Sequence, residues 1–262
     1  MRRYAAEVSY DGALFRGWQV QPGLHTIQGS LEAALEALNG TPVSVAGAGR
    51  TDMGVHARAQ VCTFDLPKAW EPARLLLAIN AHLPAGVSAM RVAPVPEDFH
   101  ARFSAASREY VYFLWNASTI YPMLAPYVCW VKNSSAYEWS RAAEACRYLE
   151  GTHDFGAFCR AVDRPDDSVR TMFRVRLRQK GNLVWLRVLG NGFLTNMIRI
   201  MMGNLELVAK GVHDPDWIKT LLEEGTSRSE GGRTFPPEGL FLWKINYEDS
   251  PWTPNKKRYD VK

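Results

Sequence analysis

The side chains best suited to chemistry lie in one short run, Gly47-Ala48-Gly49-Arg50-Thr51-Asp52-Met53-Gly54-Val55-His56-Ala57. Three glycines in eight residues mark a tight, irregular backbone of the kind that presents side chains rather than packs them. Arg50, Thr51, Asp52 and His56 are presented, with Arg58 just beyond. A carboxylate so displayed can act as a nucleophile or assist a departing group. The local alternative is an aspartate that only bonds the backbone of its own turn. The run is not a dinucleotide fingerprint, because Gly47-x-Gly49 lacks the third glycine at the required offset and no helical pattern follows. It is not a Walker loop either, since it contains no Gly-Lys-Ser/Thr.

Three further groups carry chemical potential. Arg199 stands in a stretch where Leu194, Met197, Ile198, Met201, Leu205 and Val208 share one helical face. An arginine so flanked is expected to be partly buried and to need an anionic partner, for which Asp52 is the candidate. Tyr110 and Tyr112 alternate with Val111 and Phe113, so on a strand both rings share a face, and cross-strand packing explains them as readily as ligand stacking. Arg174, Arg176 and Arg178 alternate with Val175 and Leu177, giving a basic strand face suited to phosphate contact or simply to solvation. His56 and His153 lack companion ligands, so satisfied or substrate-contacting histidines are expected rather than a metal pair.

These residues need a scaffold of mixed type. Strands are expected over residues 4–10, 59–64, 87–92, 109–115, 126–131, 171–179, 183–189 and 240–247, with a hairpin at Lys180-Gly181-Asn182. Helices are expected over 27–38, from a capping box of Ser135 and Glu138 ahead of Trp139, Ala142, Ala143, Cys146 and Leu149 as far as Gly151, and from Asp214-Pro215 to near Gly225. Two stretches that begin on a strand and later reach an amphipathic helix suggest two α+β lobes, residues 1–100 carrying the Asp52 loop and residues 101–250 completing the site. The last strand is able to return to either sheet. Residues 251–262, with Lys256-Lys257-Arg258, form a polar basic tail.

With 262 residues and 47% hydrophobic content, the chain can bury a substantial core. Its net charge of +4 is compatible with a polyanionic partner. Cys62, Cys129, Cys146 and Cys159 form no CxxC pair, which predicts small core residues and neither a disulfide framework nor a structural metal. No run reaches membrane-spanning length, and a charge interrupts the first residues before a signal-peptide core could form, so a cytoplasmic location is expected.

The loop at Gly49 to Ala57 resembles the active-site signature of the tRNA pseudouridine synthase A family. Further similarity runs in family order: Tyr10-Asp11-Gly12 with Phe15, Gly17, Trp18 and Gln19; Phe99-His100-Ala101-Arg102-Phe103-Ser104-Ala105; and Arg108-Glu109-Tyr110-Val111-Tyr112. It continues through His153-Asp154-Phe155 before Phe158, Gly192-Phe193-Leu194 before Met197-Ile198-Arg199, and Pro237 with Gly239-Leu240. The chain departs from the family at Asn196, where His is common, at Ile200, where Asn is common, and at Met53, often a small residue.

The resemblance implies an α+β fold of two RNA-recognition-motif-like lobes with mixed or antiparallel sheets flanking a central basic cleft. It implies a homodimer that binds tRNA and isomerises uridines 38 to 40 of the anticodon arm. Asp52 is then the essential aspartate, Tyr110 the tyrosine that stacks on the base, Arg199 the arginine paired with the aspartate, and Leu240 an apolar pocket residue. Arg50 and Thr51 flank the aspartate, and His56 and Arg58 complete the substrate-binding set. Converting uridine to pseudouridine breaks the N1 glycosidic bond and rejoins the base through C5 with no redox change, so neither cofactor nor metal is expected. Asp52 either attacks C6 of the base or C1′ of the sugar, or supports elimination to a glycal. Two alternatives differ in class. A non-catalytic RNA-binding protein would give Asp52, Arg199 and Tyr110 no reason to occur together, and a nucleoside hydrolase would call for an Asp-rich metal motif that the sequence does not show.

Overall fold

Alternating apolar positions give this chain two sets of antiparallel strands, each accompanied by helices. A computed structural model describes residues 1–132 and 136–253. They form two compact units that interleave in sequence. The first takes residues 1–53, 57–106 and the described residues from Lys244; the second takes 54–56 and 107–243.

In the first unit, strand β1 (Arg2–Tyr10) is followed by helix α1 (Ile27–Asn39), the short strand β2 (Ala46–Gly47), β3 (His56–Leu66), helix α2 (Pro72–His82) and β4 (Val87–Pro94). β1 runs antiparallel to both β3 and β4, and β2 pairs with β3. Helix α1 follows its sequence signals: the Thr26 hydroxyl accepts from the Gly29 amide, and Gly40 closes the helix at φ 74° in the left-handed region. It buries Ile27, Leu31, Ala34 and Leu35. Helix α2 was not expected, because its three consecutive leucines obscure the helical period. Only Leu75 and Ile79 are buried there, while Leu77 is exposed. Its start is nevertheless well specified, since the Glu71 carboxylate accepts from the amides of Ala73 and Arg74 and Pro72 opens the first turn.

The second unit contains β5 (Ala105–Asn116), β6 (Cys129–Val131), α3 (Trp139–Ala145), β7 (Gly151–Asp154), β8 (Val169–Lys180), β9 (Leu183–Gly190) and α4 (Met197–Ala209). β5, β9, β8 and β7 pair antiparallel in that order, and β6 joins β5 in parallel, so the architecture is mixed α+β. One sheet face buries Tyr110, Tyr112 and Leu114 of β5, Val184, Leu186 and Val188 of β9, and Val175 and Leu177 of β8. Helix α3 ends early, because residues 146–149 tighten into a 3₁₀ turn. That shift buries Ala145 rather than Ala143 beside Ala142, Cys146 and Leu149. Glu138 occupies the N-cap without a side-chain capping bond; its expected partner Ser135 lies outside the described residues, as do Lys256, Lys257 and Arg258. The helix expected from Asp214-Pro215 is a 3₁₀ helix, Pro215–Leu222.

The last strand, β10 (Leu240–Tyr247), serves both units. Phe241 and Trp243 meet Phe113 edge-on in the second, while Tyr247 packs on Phe99 and its hydroxyl donates to the Ala101 carbonyl in the first. All four cysteines are buried as thiols, and burial pushes Cys62 up to about 12.

Helix α4 is buried almost all round, and Gly231, Gly232, Arg233 and Phe235 lie directly on it. A Cβ on Gly203 would fall 1.9 Å from the Arg233 carbonyl oxygen, and one on Gly232 would fall 2.6 Å from the Gly203 carbonyl oxygen. Gly203→Ala is therefore expected to lower stability by about 1–3 kcal/mol through overpacking, despite the better helix propensity of alanine. A urea midpoint equal to that of the parent would show that the two backbones separate without cost.

Candidate active site

The Asp52 loop is anchored from the residues beside the aspartate, all within the first unit. The Tyr10 and Thr51 hydroxyls are hydrogen-bonded at 2.8 Å, and the Thr51 carbonyl accepts from the Trp18 amide at 3.0 Å. Gln60, fully buried on β3, donates its amide to the Gly49 carbonyl at 2.6 Å, and the Ala48 amide donates to the Val61 carbonyl at 2.8 Å. Two close approaches explain why glycines flank these anchors. Gly17, at φ 89°, leaves no room for a Cβ, which would lie 2.9 Å from the Thr51 oxygen. At Gly47 a Cβ would lie 2.5 Å from the Trp18 ring. Gly54, at φ 82°, lies against Pro237 in the second unit.

This scaffold brings Arg50, Thr51 and Asp52 together with Arg16, Trp18, Gln19 and Met53 around a cavity of about 520 Å³ in the first unit. Thr51 is buried as an anchor, whereas Asp52 and Arg50 are exposed. Arg58 is also exposed, on β3.

The remaining residues belong to the second unit. Tyr110 is 8% exposed on β5, opposite Val188, and meets Phe193 edge-on with ring centroids 5.0 Å apart. Tyr112 is fully buried and donates its hydroxyl to the Pro236 carbonyl at 2.7 Å; burial raises its pKa well above the ordinary tyrosine value and keeps the phenol neutral. Leu240 is buried at the start of β10. Arg199 is half-buried on the first turn of α4. Its Nε donates to the Phe235 carbonyl at 2.6 Å, and its Nη1 donates to the Asn196 side-chain oxygen.

His56 is 1% exposed, stacked on Phe241 with ring centroids 4.6 Å apart, and its Nε2 lies 3.0 Å from the Pro126 carbonyl oxygen. Of its two readings, packing and substrate contact, this burial supports packing. His153 is likewise satisfied, with Nε2 at 2.8 Å from the Glu150 carbonyl oxygen. Among the described residues no group of three or more His, Cys, Asp or Glu could hold a metal. Arg174, Arg176 and Arg178 are exposed while Val175 and Leu177 are buried, and Arg176 is ion-paired with Glu150.

Sequence reasoning gave no role to Tyr10, Trp18, Gln60 or Asn196. For Gln60 there was a signal: an amide within the apolar strand Val61-Cys62-Thr63-Phe64 must find a partner if buried. The contacts of the others join segments distant in sequence or depend on a backbone conformation that spacing does not reveal.

Comparison with known proteins shows the family of the chain. The tRNA pseudouridine synthase family profile matches residues 6–104 and 145–248. A protein of Geobacillus kaustophilus named tRNA pseudouridine synthase A is 41% identical over 249 residues, which is 95% of each chain. Proteins of the same name from Anoxybacillus flavithermus and Bacillus subtilis are 42% and 39% identical, covering 95% and 94% of this chain and the full length of each relative. The loop that carries Asp52 and the helix that carries Arg199 fall within the segments that the profile matches, and the chain belongs to the tRNA pseudouridine synthase family.

Proposed function

We propose that this protein isomerises uridine to pseudouridine in tRNA, with Asp52 as the nucleophilic carboxylate. The observation that carries the reading is the loop itself: four anchors on Ala48, Gly49 and Thr51 hold the backbone, and the adjacent carboxylate is displayed at a cavity large enough for a nucleoside. A backbone held this firmly suits a substrate that must leave its own helix to reach the carboxylate. An extruded base that is stacked and shut away from water is the usual solution for chemistry on nucleic-acid bases. Tyr110 is proposed to stack on that base and Arg199 to support the ionised aspartate. Arg50 and Thr51 set the loop, and Leu240 lines the apolar side. His56 is left to packing. The reaction gains and loses no group and moves no electrons between partners, so the proposal includes no cofactor.

Incubating unmodified tRNA transcript with the purified protein alone tests this. Pseudouridine should form after exhaustive chelation and dialysis, at uridines 38 to 40 of the anticodon arm. tRNA binding without product would favour the RNA-binding alternative, and release of uracil would favour hydrolysis. Activity restored only by one divalent metal, with tRNA folding held constant, would remove the cofactor-free reading.

The exposed arginines of β8 are proposed to contact the phosphate backbone. Arg174 is the cleaner probe, because Arg176 already pairs with Glu150. Arg174→Glu should weaken tRNA affinity and reduce the salt slope of binding by about one, leaving the rate at saturation near that of the parent. An unchanged slope would return this face to solvation. A homodimer in the cytoplasm is part of the same proposal and rests on the family resemblance; sedimentation as a monomer at all working concentrations would remove the dimer. Among the described residues no helix is long and apolar enough to cross a membrane.

A further inference from the structure

Asn196 is the only non-glycine among the described residues with a positive φ, 62°, and it sits at the N-cap of α4, three residues before Arg199. Left-handed backbone is costly for most side chains and least so for asparagine. An asparagine at an N-cap normally spends its side-chain oxygen on an amide of the first turn. Here no such capping bond is made, and Oδ1 accepts from Nη1 of Arg199 instead. The main chain still opens the helix, since the Ile200 amide donates to the Asn196 carbonyl at 3.0 Å.

A second acceptor meets the same guanidinium on another edge. The Phe235 carbonyl accepts from Nε at 2.6 Å, while the Phe235 amide donates to the Arg199 carbonyl at 3.1 Å. Phe235 is itself held from both sides. Ahead of it, the Gly232 amide donates to the Asn204 side chain, and Arg233 forms a bidentate pair with Glu206, which is 2% exposed. Behind it, the Pro236 carbonyl accepts from Tyr112. A guanidinium is a rigid planar fork, so acceptors at Nε and Nη1 set the direction of the whole group. Both of these acceptors are neutral, so their part is to orient the cation.

We propose that Asn196 is a positioning residue that aims the Arg199 guanidinium for the isomerisation, its left-handed backbone turning the side chain away from helix capping and onto the arginine. This rests on the assignment of Arg199 to the reaction.

Asn196→Gly separates side chain from backbone, because glycine adopts the left-handed conformation freely and removes only the acceptor. Single-turnover pseudouridine formation should fall about 10- to 100-fold, the scale of a misaimed reacting group, with tRNA affinity and unfolding midpoint near those of the parent. The discriminating measurement repeats this in Arg199→Lys, whose ammonium is not a fork. There the glycine substitution should cause no further loss, because its effect runs through the arginine. If Arg199→Lys turns over like the parent, the assignment of Arg199 fails and takes this proposal with it. If Arg199→Lys is slow but Asn196→Gly runs at the parental rate, or slows equally in both backgrounds, aiming by Asn196 is overturned while the role of Arg199 stands.

Discussion

Asp52→Asn is expected to fold, to bind tRNA and to form no measurable pseudouridine, a loss on the order of 10⁴-fold or more. The substitution keeps the shape of the side chain and removes its charge and nucleophilicity. Folding should be spared for two reasons. Asp52 is exposed, where an isosteric change typically costs within about 0.5 kcal/mol, and the loop is held through Ala48, Gly49 and Thr51. A second measurement tests the proposed coupling to Arg199. Replacing Arg199 should slow the parent far more than it changes whatever residual rate Asp52→Asn retains. This coupling is expected in the chemical step, because residues that act on one reacting centre are not additive. An active Asp52→Asn enzyme would end the assignment.

The legibility of this site in the sequence follows the range of the interactions involved. The glycine-rich run around Asp52 could be recognised because a displayed side chain needs local backbone conformations, which glycine betrays. The arginine row of β8 could be placed on one face because a strand has a period of two, and its burial alternates as that period requires. Helix α2 was lost for the opposite reason: Leu75-Leu76-Leu77 carries three apolar residues where the fold buries one, and its N-cap, Glu71, accepts with a glutamate rather than a residue typical of caps. Nothing in the spacing of Asn196 and Arg199 said that the asparagine would turn left-handed, nor that the second acceptor on the guanidinium, Phe235, would come from 36 residues away.

The second large effect is expected at Tyr110, where two substitutions divide the ring from its hydroxyl. Tyr110→Ala should lose stacking worth about 1–3 kcal/mol together with anything the hydroxyl does, and so turn over poorly. Its cost in stability should be visible too, since the ring is buried against Phe193. Tyr110→Phe keeps that edge contact and removes one oxygen. Proton removal from C5 needs an acceptor, and a positioned acid–base group contributes about 10²- to 10⁴-fold, so a loss of that size in the Phe variant at unchanged tRNA affinity would assign the proton to this hydroxyl. A parental rate would leave Tyr110 with stacking alone. Tyr112 supplies the control on the same strand face. Its hydroxyl is committed to Pro236 and burial holds its pKa far above the ordinary value, so it is a poor proton acceptor, and Tyr112→Phe should cost about 1 kcal/mol of stability for the lost hydrogen bond. Some rate loss there is compatible with the scheme, because Pro236 adjoins the carbonyl that holds Arg199. A fully active Tyr110→Ala enzyme is not compatible with it, and would leave the base to be held by residues other than the one the strand presents.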